Sequence, residues 1–440
     1  MSTSVSVVIP IRNRPALVDA CLRSLSELEP GDWDLEILVV DDASTDETAE
    51  SAERWSDRLP VRVVRNATQT GPGGARNRGA QEASGDILAF IDGDCRADRG
   101  WLRDLIPAFA EEGVVAAGGG LISAEERTWV QRYERVSHPS QRGRVAREVR
   151  PGGANDFLPG CNILVRREAF LKVGGFDTTH NLGEDVDLTW RLAENVGRVL
   201  YRPGGLVAHE HVDRLGKLLR RRFDLGTSHG VLLRRHPTSR RSLVVSIAQL
   251  LAIAGAILAV AWNAWFAAVV AASLVADVVL SSVTARGRVP MAGIAAACVK
   301  GHLSVGLRFL SLIDQYYLLP IALASGIGGF WWRPLFLILP ALAATTILIS
   351  IVDLLRLRPA LNPALFVLVR TLDRIALHTG IVAGCLMHGT LRPLRLRFRV
   401  APLTVLLLRE GHSGGWVEDD PVFRSLAGSR AAASVPRDQA

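Results

Sequence analysis

Phe90-Ile91-Asp92-Gly93-Asp94 ends an apolar, strand-like run in two carboxylates spaced i and i+2, and Gly183-Glu184-Asp185 opens an amphipathic run with a second acidic pair. Two carboxylates at a strand end can share one hard divalent cation, Mg²⁺ or Mn²⁺, through their oxygens. Gly93 lets the backbone approach the ion closely. Such a cation offsets charge growing on a departing diphosphate. A carboxylate at Asp185 can take the proton of an attacking hydroxyl, whose own pKa lies far above neutrality. The plainer readings are a solvated Asp-Gly turn for the first pair and a dipole-compensated helix start for the second, which is the reading for Asp187.

Three further clusters belong with these. Asp41-Asp42-Ala-Ser-Thr-Asp46 follows an apolar run; one of its carboxylates caps the next helix or accepts hydrogen bonds from a nucleotide base or ribose. Gly71-Pro-Gly-Gly-Ala-Arg76-Asn77 is a tight turn, or offers backbone N–H groups and Arg76 to a phosphate. It is neither a Walker loop nor a Rossmann fingerprint. His209-Glu210-His211 follows a short strand after Pro203-Gly204-Gly205, and either histidine is a candidate third metal ligand.

The elements that must position these groups alternate. β-branched runs at residues 4–10, 35–40, 61–65 and 86–91 are separated by helical spacings at 15–28, 45–55 and 75–83. This predicts an α/β domain with a doubly wound, mostly parallel sheet whose ligands sit at the carboxyl ends of the strands. Asp41, Asp42, Asp92 and Asp94 then share one rim. Residues 127–153 are polar and basic without a clear period, and read as a loop or helix over the site.

The chain has 440 residues, 48% of them hydrophobic, a mean hydropathy of +0.20 and a net charge of +7. The apolar excess lies after residue 241. Residues 1–241 read as the α/β domain, 242–400 as a helical transmembrane and interfacial region, and 401–440 as a disordered tail. Leu243–Thr284 has room for two spans joined near Trp262–Trp265, and Pro334–Val352 for a third. Residues 291–330 are broken by Lys300, His302, Arg308 and Asp314 and read as an interfacial segment followed by a partly inserted one; Leu372–His388 is a weaker span candidate. Nine Arg or Lys residues between 212 and 241 flank the first span. They point to membrane lipid rather than nucleic acid, and to a cytoplasmic catalytic domain on a multi-pass membrane protein. Five cysteines without a CxxC pair, and a start without an apolar leader, agree with a reducing compartment.

Taken together, Val7-Val8-Ile9-Pro10-Ile-Arg12-Asn13, Val39-Val40-Asp41-Asp42, Gly74-Ala-Arg76-Asn77, Asp86 through Asp94, Gly174-Gly-Phe-Asp177 and Glu184-Asp185-Val-Asp-Leu resemble family 2 glycosyltransferases of the GT-A fold. The likeness covers residues 4–215. It implies an inverting transfer from a nucleoside-diphosphate sugar to an acceptor hydroxyl on a glycan, a lipid-linked or a peptide-linked molecule. It places Pro10, Arg12, Asp41, Asp42, Arg76 and Asp92 in the donor pocket, Asp92, Asp94 and His209 on the metal, and Asp185 as base. The Gln-x-x-Arg-Trp motif of processive synthases is missing near residues 212–230, which disfavours a polymerase. The C-terminal half, around Leu372–Gly384, is similar to glycosyltransferases of mycofactocin biosynthesis, without the N-terminal region those enzymes carry. A catalytically silent scaffold on this fold and a nucleotidyltransferase are the alternatives.

Overall fold

The computed structural model describes residues 3–138, 145–151, 157–179, 182–237, 242–261, 263–285, 290–331, 333–395 and 397–400. The expected tail at 401–440 and Trp262 lie outside them. Two compact units are present, one of residues 1–239 with 350–393, the other of 240–349 with 394–440.

In the first unit the chain runs β1 (Thr3–Ile11), α1 (Pro15–Ser26), β2 (Trp33–Asp41), α2 (Thr48–Glu53), β3 (Val61–Arg65), α3 (Gly71–Glu82), β4 (Ile87–Phe90), β5 (Cys95–Ala97), α4 (Trp101–Leu105), β6 (Val114–Gly118), β7 (Leu121–Ser123), α5 (Trp129–Ser137), β8 (Arg147–Glu148), β9 (Ile163–Arg166), α6 (Arg167–Lys172), α7 (Glu184–Asn195), β10 (Arg198–Tyr201), β11 (Val207–His209) and α8 (Leu215–Arg235). Eight strands form one sheet in the order β3-β2-β1-β4-β9-β6-β10-β8. The β3-β2-β1-β4 half is parallel, as the alternation of strands and helices predicts. The other half is mixed: β9 runs antiparallel to β4 and β6, and β8 antiparallel to β10. A small second sheet has the order β5-β11-β7.

The period of two along each strand splits the core between the faces of the large sheet. Val5, Val7 and Ile9 of β1, Ile37 and Val39 of β2, and Ile87 and Ala89 of β4 pack under α1 on one face. Val8, Leu38, Val40, Leu88 and Phe90 point the other way, against α3, α6 and α7. There Phe90 meets Phe170 and Phe176 at centroid separations of 5.2 Å each. Burying side chains of this size contributes roughly 1.5–3 kcal/mol apiece. The four central strands are buried on both faces and read as unbroken apolar runs for that reason.

The first unit also takes in α14 (Pro363–Met387), which follows the apolar helices in sequence. Expected as a weak span, it packs instead along α8, and Asp373 and His378 are buried. The pairing rests on facing glycines spaced i and i+4, Gly226 and Gly230 on α8, Gly380 and Gly384 on α14. A Cβ on Gly380 would stand 2.0 Å from the Phe223 carbonyl oxygen, and one on Gly226 2.3 Å from that of Leu377. The backbones touch, as small-x-x-x-small helix pairs do. Asp373 closes the joint, accepting from Arg222 Nε at 2.6 Å and from the Tyr133 hydroxyl at 2.7 Å. Gly380→Val forces the helices apart and is expected to cost about 1–3 kcal/mol. A thermal melt of the detergent-solubilised chain reads this as a transition lowered by several degrees; an unchanged melt contradicts the close contact.

The second unit holds β12 (Ser242–Val245), paired in parallel with β13 (Arg397–Val400), and a set of apolar helices. These are α9 (Ile247–Ala261), α10 (Ala267–Ala285), α11 (Met291–Leu312), α12 (Leu318–Gly328) and α13 (Ile338–Leu357), whose residues from 350 onward belong to the first unit. Among the described residues, three helical stretches are long and apolar enough to cross a membrane: Ala264–Thr284, Met291–Gly328 and Leu335–Leu357. The second differs from the expected interfacial segment. Its charged residues are spread along 38 residues of otherwise apolar helix, joined through a π-helical turn at Ile313–Tyr317. Asp314 is buried there and accepts from the Thr346 hydroxyl at 2.6 Å. Large apolar side chains such as Leu280 and Val283 on α10 are exposed, as lipid-facing positions are.

Candidate active site

Because β1, β2 and β4 are parallel, their carboxyl ends fall on one edge of the sheet. A pocket of about 250 Å³ opens there, lined among others by Pro10, Arg12, Asp42, Gly71, Asp92 and Asp94. The loops after β1 and β2 interlock beside it: Asn13 N donates to Ser44 Oγ at 2.9 Å and Thr45 N to Asn13 Oδ1 at 2.8 Å. Asn13 and Ala43 adopt φ of 51° and 59°. Asn tolerates that region, whereas Ala does so at a cost of about 1–2 kcal/mol, the sort of strain that clusters at functional sites.

Asp42 is bound to the neighbouring loop. Its carboxylate accepts from Asn66 Nδ2, from the N–H and hydroxyl of Thr70, and from Gly71 N, each at 2.8 Å. Burial opposes its charge, yet these donors win and hold the carboxyl below its usual range. It thereby fixes the start of α3 at the pocket wall. Asp41 is buried and accepts from Ser44 N at 3.3 Å.

Arg76 is buried between two acids. It donates to Asp92 Oδ1 at 2.6 Å and to Glu184 Oε1 at 3.1 Å, with its guanidinium 5.1 Å from the Phe176 ring centroid. Burial alone would weaken its charge; the two carboxylates more than compensate and raise its pKa. Arg76 therefore couples the metal-side acid to the pair that contains the candidate base. Asp185 accepts from Val186 N at 2.8 Å and Gly160 N at 3.3 Å. Desolvation, then the neighbouring charge of Glu184, push its carboxyl up to about 7 despite these bonds and Arg76. That is where a base must sit to be both ionised and proton-accepting near neutral pH.

The start of α7 is held from behind by α8. Gly183 takes φ +85°, which no β-carbon would favour, and faces Ser228 and Leu232. His236, at the end of α8, contacts Asp187 Oδ1 at 3.0 Å and Glu194 Oε2 at 2.9 Å. Asp187 also pairs with Arg191 at 2.6 Å. Expected only as a dipole partner, Asp187 is a buried ion-pair centre that anchors the helix bearing the candidate base.

The register of β11 against β5 sets His209 opposite Cys95. Asp94, Cys95 and His209 then offer ligand atoms that all lie within 4.8 Å of one another. His209 Nδ1 is buried without a hydrogen-bond partner. A hydrogen bond to Cys161, burial, and the charges of Asp94 and Asp92 hold the Cys95 thiol well above its usual range. The Asp94 carboxylate and the His209 imidazole offer an O/N donor set that fits a divalent cation of the Mg²⁺ or Mn²⁺ class. Asp92, expected beside them, is outside this group and has Oδ1 on Arg76 at 2.6 Å. His211 lies beyond the end of β11 and joins another group, with Glu134 and His138. Cys95 was not foreseen from the sequence, because a cysteine beside an Asp carries no spacing signal.

The first unit also matches known proteins in sequence. Residues 6–174 match the family model described as Glycosyl transferase family 2, which marks that segment as a glycosyltransferase domain. Over its length it is similar to the pre-mycofactocin glycosyltransferase of Mycobacterium tuberculosis, 29% identical across 88% of this chain and 82% of that protein. The glycosyltransferase AglE of Haloferax volcanii is 29% identical over 50% of this chain and 71% of its own. Among solved structures, a mannosyltransferase of Pyrobaculum calidifontis in complex with GDP-Man and Mn²⁺ aligns with a TM-score of 0.43 and 20% identity, covering 69% of this chain and 88% of that one.

Proposed function

We propose that the chain is a membrane-associated inverting glycosyltransferase that moves a sugar from a nucleoside-diphosphate sugar to an acceptor hydroxyl. The observation that carries this reading is the chain of contacts Asp92–Arg76–Glu184, which joins a pocket bearing three acids to a carboxyl poised near neutrality. The acceptor O–H gives its proton to Asp185 as its oxygen bonds to the anomeric carbon. The bond from that carbon to the diphosphate breaks on the opposite face, and the nucleoside diphosphate leaves. Asp94 and His209, with Asp92 beside them in the pocket, would hold a Mg²⁺ or Mn²⁺ ion, which would supply positive charge for the leaving diphosphate. Pro10, Arg12, Asp41 and Asp42 form or brace the donor side, and Arg76 holds Asp92 in orientation.

The catalytic part is assigned to residues 1–241, backed by α14, with the apolar helices between Ala264 and Leu357 inserted in the membrane and the catalytic unit on its cytoplasmic side. Three apolar helices and the basic surface of α8 support this. Among glycan, lipid-linked and peptide-linked acceptors, an acceptor of the pre-mycofactocin kind is supported by the length of the similarity to the mycobacterial relative.

The test uses the full chain in detergent with UDP-, GDP- and dTDP-sugars and Mn²⁺, reading the phosphorylated product. Release of a nucleoside diphosphate is expected. Pyrophosphate would indicate a nucleotidyltransferase, and no turnover of any donor would leave the scaffold reading.

A further inference from the structure

Next to the donor-side cation ligands lies a second cluster that the transfer chemistry does not use. We propose that Glu134, His138 and His211 form a separate, buried site for a transition-metal ion of the zinc class. Their ligand atoms all lie within 4.8 Å of one another. Glu134 and His138 are spaced i and i+4 at the end of α5, which puts them on one face. The start of that helix is fixed by a capping box between Thr128 and Gln131. His211 is clipped onto the same face through its backbone: Gln131 Nε2 donates to the His211 carbonyl at 3.4 Å, and Val212 N to Glu134 Oε2 at 2.9 Å.

His211 is 4% exposed, and neither ring nitrogen has a hydrogen-bond partner. Glu134 is fully buried, and its Oε1 also lacks one. His211 Nδ1 comes no nearer than 3.7 Å to Glu134 Oε2, and buried polar atoms left without hydrogen bonds are costly and call for an explanation. A metal ion would occupy one ring nitrogen of His211 and the Glu134 carboxylate together. The neutral imidazole is the form that ligates a metal. Two imidazoles and one carboxylate are a three-ligand zinc set with a fourth position left for solvent. An all-oxygen ion such as Mg²⁺ does not suit it.

Arg222 and Arg221 approach Glu134 Oε1 at 3.9 and 4.0 Å and oppose a cation. Neither hydrogen-bonds that oxygen. Arg222 is committed to Asp373 at 2.6 Å, and Arg221 is 36% exposed and free to turn toward solvent. The imidazoles of His138 and His211 each stand 5.7 Å from that of His209, centroid to centroid. The two metal sites are therefore near neighbours with different donor chemistry.

The test is metal analysis of the full chain in detergent after dialysis against Zn²⁺. The Asp94→Ala background removes the carboxylate of the donor-side group. In that background about one zinc per chain is expected, and a further His211→Ala or Glu134→Gln change should lower zinc affinity at least ~10-fold. Co²⁺ substituted into the Asp94→Ala chain should give the intense visible bands of a four-coordinate site, a readout that stands whether or not the histidine variants fold. Two results overturn the proposal: zinc content in the Asp94→Ala chain near zero, or zinc and Co²⁺ signals unchanged by His211→Ala. Either would mean that Glu134 serves only its arginines and His211 is a buried neutral side chain.

Discussion

Asp185→Asn should abolish turnover, by about 10²–10⁴-fold or more, while nucleotide-sugar binding stays within a few-fold of the parent. The amide oxygen can keep the shorter bond from Val186 N, its NH2 forfeits the longer one from Gly160 N, and it cannot take a proton. The acid limb of the rate profile provides the sharper check. Only ionised Asp185 is a base, so kcat/KM should rise with pH and level off above about 7. Glu184→Gln removes the like charge beside it and should move that limb to lower pH. Arg76→Ala removes a stabilising cation and should move it to higher pH, along with a large loss of rate. Stability follows the opposite sense. A carboxyl raised in the folded state holds a proton that the unfolded chain has already released, so folding loses free energy as pH climbs from the usual carboxylate range to about 7. Asp185→Asn should therefore melt no lower than the parent at about pH 8. Near-normal activity in this variant, or a flat pH profile, would remove Asp185 from the role of base.

The parallel half of the sheet was legible because its strands are buried on both faces and leave unbroken apolar runs. With the strands in place, the rim acids followed from the rule that ligands gather at carboxyl ends. The antiparallel β9 was not legible as a reversal. A run such as Ile163–Arg166 has the same composition whichever way it points, and its direction is set by which neighbour closes the sheet. Helix α14 was read as a weak span since Asp373, Arg374 and His378 interrupt an apolar stretch. Those charges make sense only against α8, Arg222 and Tyr133, far away in sequence. The glycines that let the helices touch looked unremarkable, because a four-residue spacing has meaning only when both partners are known. The same holds for Glu134 and His138, which lay in a basic stretch without a clear period. Their significance appears when the segment after β11 delivers His211.

The joint between α8 and α14 also changes how the catalytic unit must be handled. Helix α7, which carries the proposed base, leans on α8 through Gly183, His236 and Asp187, and α8 leans on α14 through backbone contact. A chain ended near residue 241 keeps every acid of the site but removes the helix that backs this support. Loss of activity in such a truncation therefore reports missing packing as readily as missing membrane. The full chain is the right material for donor and acceptor assays.

The second large effect is on the donor. Asp94→Ala should weaken nucleotide-sugar binding by more than about 100-fold when Mn²⁺ is present, and should erase the difference between binding with and without the ion. Asp94 stands on the pocket wall, and the pairing of His209 with Cys95 brings an imidazole to it. The diphosphate carries negative charge toward Asp92 and Asp94, which repel it unless a cation intervenes. The repulsion is large at contact distance in a partly desolvated pocket. Removing one acid deletes a metal ligand and also relieves part of that repulsion. The residual metal-independent affinity of the variant should therefore equal or exceed that of the parent measured in chelator. His209→Ala deletes a ligand without relieving any charge, so it should lose the metal-dependent part alone. Titration calorimetry with a nucleoside diphosphate, with and without Mn²⁺, separates the two. If Asp94→Ala binds as tightly as the parent in excess metal, the cation does not sit at this rim and the leaving group must be stabilised elsewhere, with Arg12 on the same wall the first residue to substitute.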